Sequence, residues 1–358
     1  MASIVKKLGP GRYRYRYVVD TLETIDPHAS TLKEGDLLNN IIVVLNPPIQ
    51  QQALAKQALQ GDLLKMIHHL NIRNYSLGDD GIFALTQIIQ HNRSWIESLD
   101  ASHNRITDTG LYSIAAAVKH LGLKELRLNG NGFSMASLRS LCEAVSLSRT
   151  LLVLELSGNP LFNEGAMVLA AYLVYNCSIQ SLHISGCSIS NDGIIALGKG
   201  LEGNKNLLHL YICSNHVSEE GIKSFSSSLE ANASLLALHI ANNPIGPMGT
   251  MWLGKMLNLN MTLTTLDISH CKIMKDGAVV GLYSILSSML DKNKILRYVF
   301  LRNNQIDNTA IVWIAHCLSK CRTILEFDLE GNPLDQKWFF PDYFITNLGT
   351  LFSIYSLY

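Results

Sequence analysis

The sequence predicts an α/β solenoid of about ten strand–turn–helix units, a horseshoe with a parallel concave sheet and convex helices. Three observations predict it. The phrase Leu-x-Leu-x-x-Asn, with Ile allowed at the second Leu, recurs as Leu126 to Asn131, Leu154 to Asn159 and Leu210 to Asn215. Its first apolar position falls at Leu70, Leu99, Leu126, Leu154, Leu182, Leu210, Leu238, Leu266, Val299 and Phe327, with neighbours 28 residues apart in six intervals and 29, 27 and 33 apart in the others. After each phrase, a tripeptide that usually ends in Gly leads into apolar residues at helical spacing, such as Ile82, Leu85, Ile88 and Ile89.

Each part of the unit has its own justification. The two Leu of a phrase lie two apart, so a strand places both side chains on the core face. The Asn that follows turns inward, where its amide satisfies backbone groups of the bending chain. Asn104, Asn131, Asn159, Asn215, Asn243, Asn304 and Asn332 fill this ladder, Cys187 and Cys271 replace it with a thiol, and Tyr75 occupies it in a worn first unit. Asp79-Asp80-Gly81, Asp108-Thr109-Gly110, Asn163-Glu164-Gly165, Asn191-Asp192-Gly193, Glu219-Glu220-Gly221 and Lys275-Asp276-Gly277 mark a loop before each helix. Their acids favour the helix N-terminus through its dipole. The interval of 33 is read as a longer helix or return loop within 282–297, and Ala310 takes the Gly place in the next unit.

The ends break the period. Residues 1–65 are read as a basic, aromatic arm and cap, 66–335 as the solenoid, and 336–358 as an aromatic cap or docking tail. In the arm, Arg12-Tyr13-Arg14-Tyr15-Arg16-Tyr17 alternates with period two, so a strand would carry Arg on one face and Tyr on the other. Such an arm suits an acidic surface, Arg pairing carboxylates and Tyr packing; its ordinary alternative is an edge strand on its own protein. Residues 1–17 are acid-free and loosely resemble a mitochondrial presequence, but lack an apolar secretory stretch and are expected to be retained. The tail holds Trp338, Phe339, Phe340, Tyr343, Phe344, Phe352 and Tyr355. One cap needs less aromatic surface than this, and aromatic anchors dominate interfaces.

Composition narrows the function. Lys+Arg and Asp+Glu are both 29, so the net charge is zero and no global basic field favours nucleic acid or an anionic membrane. Charged residues are only 16%, which favours a surface covered by partners. No apolar run reaches membrane-spanning length. Seven cysteines without paired metal-type motifs indicate a reduced, intracellular protein; Cys317-x-x-x-Cys321 stands alone. The sequons at Asn92, Asn176, Asn232 and Asn260 share one place in their repeats and are read as repeat grammar.

Chemistry is sought on the strand positions flanking the buried Leu. The middle units present His183, His209, Tyr211 and His239, and the last present Asp267, Glu326, Asp328 and Glu330. Neighbouring strands lie about 4.8 Å apart, so His183 and His239 stand two spacings apart with Tyr211 between, too far to share Zn without His209. A polar–aromatic contact patch is the better reading, and the acidic corner suits a basic partner segment or is a solvated rim. Gly198-Lys199-Gly200-Leu201-Glu202-Gly203 matches a dinucleotide pattern formally, but it ends a helix, where glycines read as a stop. No phosphate loop, nucleophile–base pair or paired carboxylate is found, so no enzyme, metal or cofactor is expected.

Across residues 66–335 the phrases and the Asp-Gly or Glu-Gly tripeptides resemble the ribonuclease-inhibitor-like subfamily of leucine-rich repeats. That subfamily includes ribonuclease inhibitor, Ran GTPase-activating proteins, sensor regions of immune receptors, and leucine-rich subunits of the nexin–dynein regulatory complex and radial spokes of axonemes. The resemblance implies a non-enzymatic scaffold, a constitutive subunit of a large cytoplasmic assembly of the cytoskeleton, cilium or flagellum. Its implied partners are other protein subunits, with tubulin or dynein-regulatory components as candidates. One alternative is a GTPase activator of the Ran type with Arg73 as the candidate arginine; another is an RNA-associated subunit bound through 12–17.

Overall fold

The computed structural model describes residues 68–91, 96–176, 178–274 and 279–334, with the two-residue strands Lys6–Lys7, Tyr13–Arg14, Tyr17–Val18 and Val43–Val44. The chain forms two compact units, Met1–Asn159 and Pro160–Tyr358.

In every repeat the first apolar residue of the phrase is the centre of a three-residue strand, and none is more than 3% exposed. In the first unit these strands are His69–Asn71, Ser98–Asp100, Glu125–Arg127 and Val153–Glu155, parallel with Leu70, Leu99, Leu126 and Leu154 in register. In the second unit they are Ser181–His183, His209–Tyr211, Ala237–His239, Thr265–Asp267, Tyr298–Phe300 and Glu326–Asp328, again parallel and in register. Each buried Leu contributes about 1.5–3 kcal/mol. A one-residue slip would turn the column to water, and this fixes the register.

The ladder works as expected. Asn215 accepts the N–H groups of Cys187 (3.0 Å) and Ile189 (2.9 Å) and donates to the carbonyls of Ile184 (3.0 Å) and Ile212 (3.1 Å). One amide thus satisfies four backbone groups in two successive repeats. Cys271 keeps part of this function, its thiol meeting the carbonyls of Ile240 (3.5 Å) and Ser269 (3.4 Å).

A second ladder lies where the helices end. Asn204, Asn232, Asn260 and Asn293 are all buried. Asn232 accepts from Ser234 and Leu235 N–H and donates to Leu201 O (2.7 Å) and Asn204 O (3.3 Å). Asn260 repeats this one unit on, donating to Leu229 O (2.8 Å) and Asn232 O (3.1 Å). The sequons at Asn176, Asn232 and Asn260 therefore spell a buried structural amide, and Asn92 lies outside the described residues.

Three sequence expectations are corrected. First, the Gly tripeptides are inside the helices: Asp108-Thr109-Gly110 opens the helix Asp108–Val118 and Asn191-Asp192-Gly193 opens Asn191–Glu202. The residue two before the Gly reaches forward to the next repeat. Asp79 accepts Thr107 N–H (2.8 Å) and Gly110 N–H (3.0 Å), and Asn163 accepts Ser190 N–H (2.8 Å) and Gly193 N–H (3.2 Å). A Cβ on Gly110 would stand 2.4 Å from that Asp79 oxygen, so the glycine answers a close approach and not a loop conformation. Second, most of the five additional residues are not in the helix or its return. Val280–Asp291 has 12 residues, as has Asn191–Glu202. Instead Gly281 follows Leu266 by 15 positions, whereas Gly221 follows Leu210 by 11, so four of the five fall between the strand and that glycine and one beyond it. Gly281 holds the close-approach place, its Cβ position 2.5 Å from Pro247 O, and Gly277 lies outside the described residues. Third, of the glycines read as a helix stop only Gly203 caps the helix Asn191–Glu202, while Gly198 and Gly200 are buried within it. A Cβ on Gly200 would meet Ala170 O at 2.6 Å, so these glycines let neighbouring helices touch.

Candidate functional site

In a three-residue strand with a buried centre, both flanking side chains face away from the core. Parallel in-register pairing then stacks equivalent flanks from one repeat to the next. In the second unit this register places Tyr211 beside His183 on one side and His239 on the other, and His239 beside Asp267. The three rings stack. The His183 and Tyr211 centroids are 4.0 Å apart with planes 12° from parallel, and Tyr211 and His239 are 4.4 Å apart at 6°.

Polar groups hold both ends of this row. Ser181 Oγ lies 2.9 Å from His183 Nε2. His239 Nδ1 lies 3.5 Å from Asp267 Oδ2. Burial works to raise the Asp267 carboxyl, but hydrogen bonds from His239 and from Ser269 outweigh it and hold it below the ordinary carboxylate range. His209 stands in the adjacent row, where burial and then the neighbouring His239 push its imidazole below the usual range. Cys213, two residues beyond Tyr211, is raised by burial and by Asp267. Face-to-face stacking leaves the imidazole nitrogens at ring edges with a phenol between them, a poor arrangement for one ion. Among the described residues no three His, Cys, Asp or Glu groups converge as a metal site.

The acidic corner contains a cation that the sequence reading did not assign there. Arg302 Nε pairs with Asp328 Oδ2 and its Nη1 with Glu330 Oε2 at 2.8 Å. Asp328 is fully buried, whereas Glu326 is half-buried beside it in the strand. Arg302 holds the same place in its repeat, three after the buried strand centre, as Glu330 does in the next, and only the fold brings it across to the next repeat's carboxylates.

The first unit carries ions at equivalent places. Arg127 pairs with Glu125 (2.9 Å) and Glu155 (2.8 Å). Glu155 also accepts from Asn129 (2.6 Å), and Ser98 donates to Glu125 (3.1 Å). Arg73 is exposed, with its N–H on Asn71 Oδ1 (3.0 Å).

Of the predicted arm, Tyr13 and Arg14 pair antiparallel with Lys7 and Lys6, and Tyr17 pairs parallel with Val43. Arg12, Tyr15 and Arg16 lie outside the described residues, as do Trp338, Phe339, Phe340, Tyr343, Phe344, Phe352 and Tyr355. No helix among the described residues is long and apolar enough to cross a membrane.

A family model described as Leucine Rich repeat matches residues 93–115, 147–170, 175–198 and 259–280. No curated protein matches the chain. Among solved structures it is similar to "Leiomodin-1 Actin-Binding Site 2 (ABS2)", at 22% identity and TM-score 0.35 over 42% of this chain and 86% of that one. It is also similar to the Caenorhabditis elegans tropomodulin C-terminal domain, at 16% identity and TM-score 0.35 over 43% of this chain and 92% of that one. Parallel strands in register within each unit, with inward amides and thiols after them, make the fold an α/β leucine-rich-repeat solenoid.

Proposed function

We propose that this protein is a non-enzymatic interaction scaffold that binds a protein partner across His183, His209, Tyr211, His239 and Asp267. The observation that carries this reading is the stack of three rings, anchored at Ser181 and Asp267 before any partner arrives. Preordered aromatic residues lose little conformational freedom on binding, and they are the residue types that dominate interface energetics. The Tyr211 phenol between them offers a hydrogen bond to a polar segment, while the end imidazoles are held by Ser181 and Asp267. At the acidic corner, half-buried Glu326 extends the same surface and favours a basic stretch of the partner.

The finer part of the proposal is membership of a large cytoskeletal or ciliary assembly as a constitutive subunit. It is supported by the balanced charge, the basic arm at 12–17, the aromatic tail at 338–358 and the resemblance to axonemal leucine-rich subunits.

Placing a photo-crosslinking amino acid at position 211 tests the scaffold reading. The expected result is one protein crosslinked at fixed stoichiometry, lost on His239→Ala, and an assembly lost when 338–358 is removed. A chain that instead accelerates GTP hydrolysis, and loses that acceleration on Arg73→Ala, overturns the proposal in favour of a GTPase regulator. Crosslinking of 12–17 to RNA would point to a ribonucleoprotein subunit.

A further inference from the structure

Cys317 and Cys321 form a pair that the scaffold reading does not use. The helix Asn308–Lys320 ends so that Cys321 is its cap, with extended backbone (φ −79°, ψ 111°) and its N–H on Cys317 O. One helical turn separates the residues, and their sulfurs are 3.5 Å apart. Both thiols also face carbonyls at the end of the helix Val280–Asp291: Cys317 Sγ lies 3.5 Å from Leu286 O, and Cys321 Sγ lies 3.4 Å from Met289 O. The Lys294 ammonium sits at that same Met289 carbonyl (3.3 Å) and on Leu290 O (2.6 Å). A cation therefore stands within a few ångströms of Cys321.

The two sulfurs are not equivalent. Cys317 is buried, whereas Cys321 is partly exposed. The Cys317 S–H can donate to a thiolate at 321, and this bond, against the opposing effect of burial and with help from Lys294, lowers the Cys321 thiol below its ordinary value. The same bond and burial push Cys317 up. Cys142, Cys213 and Cys271 lack such a setting. Burial pushes Cys142 and Cys271 up to about 12, and Cys213 is raised as well. A thiolate beside a second thiol and a lysine is the environment of a reactive cysteine.

We propose that Cys321 is a peroxide-reactive thiol and that Cys317 resolves it to an intramolecular disulfide. The Cys321 thiolate attacks one oxygen of hydrogen peroxide; the O–O bond breaks, leaving a sulfenic acid on Cys321 and hydroxide, which is protonated to water. Cys317 sulfur then attacks the Cys321 sulfur. The S–S bond forms, the S–O bond breaks, and the departing hydroxide leaves as water with the Cys317 proton. Two thiols lose two electrons together and one peroxide is reduced to two waters. A small thiol reductant reverses the step. Closing the sulfurs from 3.5 Å to about 2.05 Å is eased because Cys321 lies past the helical ladder. The bond removes the two S–H donors that face Leu286 and Met289, so oxidation loosens the contact between the last two helices.

The test treats the full chain with stoichiometric hydrogen peroxide, quenches in acid and maps thiols by differential alkylation and peptide mass. A linked 317–321 peptide that dithiothreitol reverses is expected, with Cys142 and Cys271 still reduced. In Cys317→Ser, oxidation should stop at a dimedone-trappable sulfenic acid on Cys321. Lys294→Gln should slow Cys321 alkylation about threefold or more at neutral pH. The proposal is overturned if wild type forms no linked peptide while folded, or if Cys321 alkylates no faster than Cys213. Because the wild-type measurements need no substitution, a misfolded variant does not rescue it.

Discussion

The two units build the same strands in the same register, yet their outward rows differ. In the first, Glu125, Arg127 and Glu155 form ion pairs with one another. In the second, the equivalent row is the His183, Tyr211 and His239 stack. Because the buried Leu column fixes the backbone, the flanking residues are free to vary without altering it. The difference lies in what each row leaves for a partner. The carboxylates around Arg127 already occupy it, so a partner gains only by breaking pairs that are satisfied. The ring row is ordered and presents stacked aromatic surface and the Tyr211 phenol, to which a partner adds contacts without breaking a network of paired charges.

The largest expected effect follows from that contrast. Tyr211→Ala should weaken partner binding by tenfold or more, as loss of an interface anchor costs about 2 kcal/mol, while Arg127→Ala should change it less than about threefold. Equal losses, measured by calorimetry with the crosslinked partner, would remove the distinction between the rows. Next, stability should reverse the ranking of charged contacts. Arg302→Ala strips the partner from buried Asp328 and should cost about 2–3 kcal/mol in urea unfolding, whereas Arg127→Ala, at a half-exposed network, should cost about 1 kcal/mol. Salt separates the mechanisms further. The Debye length falls from about 10 Å at 0.1 M to about 3 Å at 1 M, so the Arg127→Ala deficit should shrink with salt and the Tyr211→Ala deficit should not.

The smallest effect is on pH. Asp267 has a lowered carboxyl pKa in the folded chain, because hydrogen bonds from His239 and Ser269 outweigh burial. Its stabilisation is fully present above the unfolded carboxylate pKa of about 3.9 and is lost as pH falls through the lower folded value. Asp267→Asn should therefore be less stable than wild type by under about 1 kcal/mol at neutral pH, and the two denaturation curves should converge in acid. A gap that persists below that window would mean Asp267 acts through packing and not charge.

Much of the fold was legible because a repeat writes its core into local spacing. Positions 70 to 327 of the recurring phrase are the strand centres, and Asn104, Asn131 and Asn215 bond the backbone as an inward amide should. The Gly tripeptides were legible as a pattern but misread as loops, since the reason for Gly110 is an Asp79 oxygen that arrives from the previous repeat. The Asn204 to Asn293 ladder left a partial trace as sequons in a fixed place, but its purpose depends on carbonyls one repeat earlier. Within the site, the row of His183, Tyr211 and His239 followed from repeat arithmetic. The closeness of stacking, the Arg302 pair and the Lys294 neighbour of Cys321 did not.

By itself the sequence determined the period, the buried column and the amide ladder, because apolar spacing along one strand acts through local geometry. The tertiary structure alone decided which outward groups neutralise each other, which stack and which thiol is activated. Those outcomes depend on distances of a few ångströms between residues a full repeat apart, and no spacing along the chain records a side-chain direction.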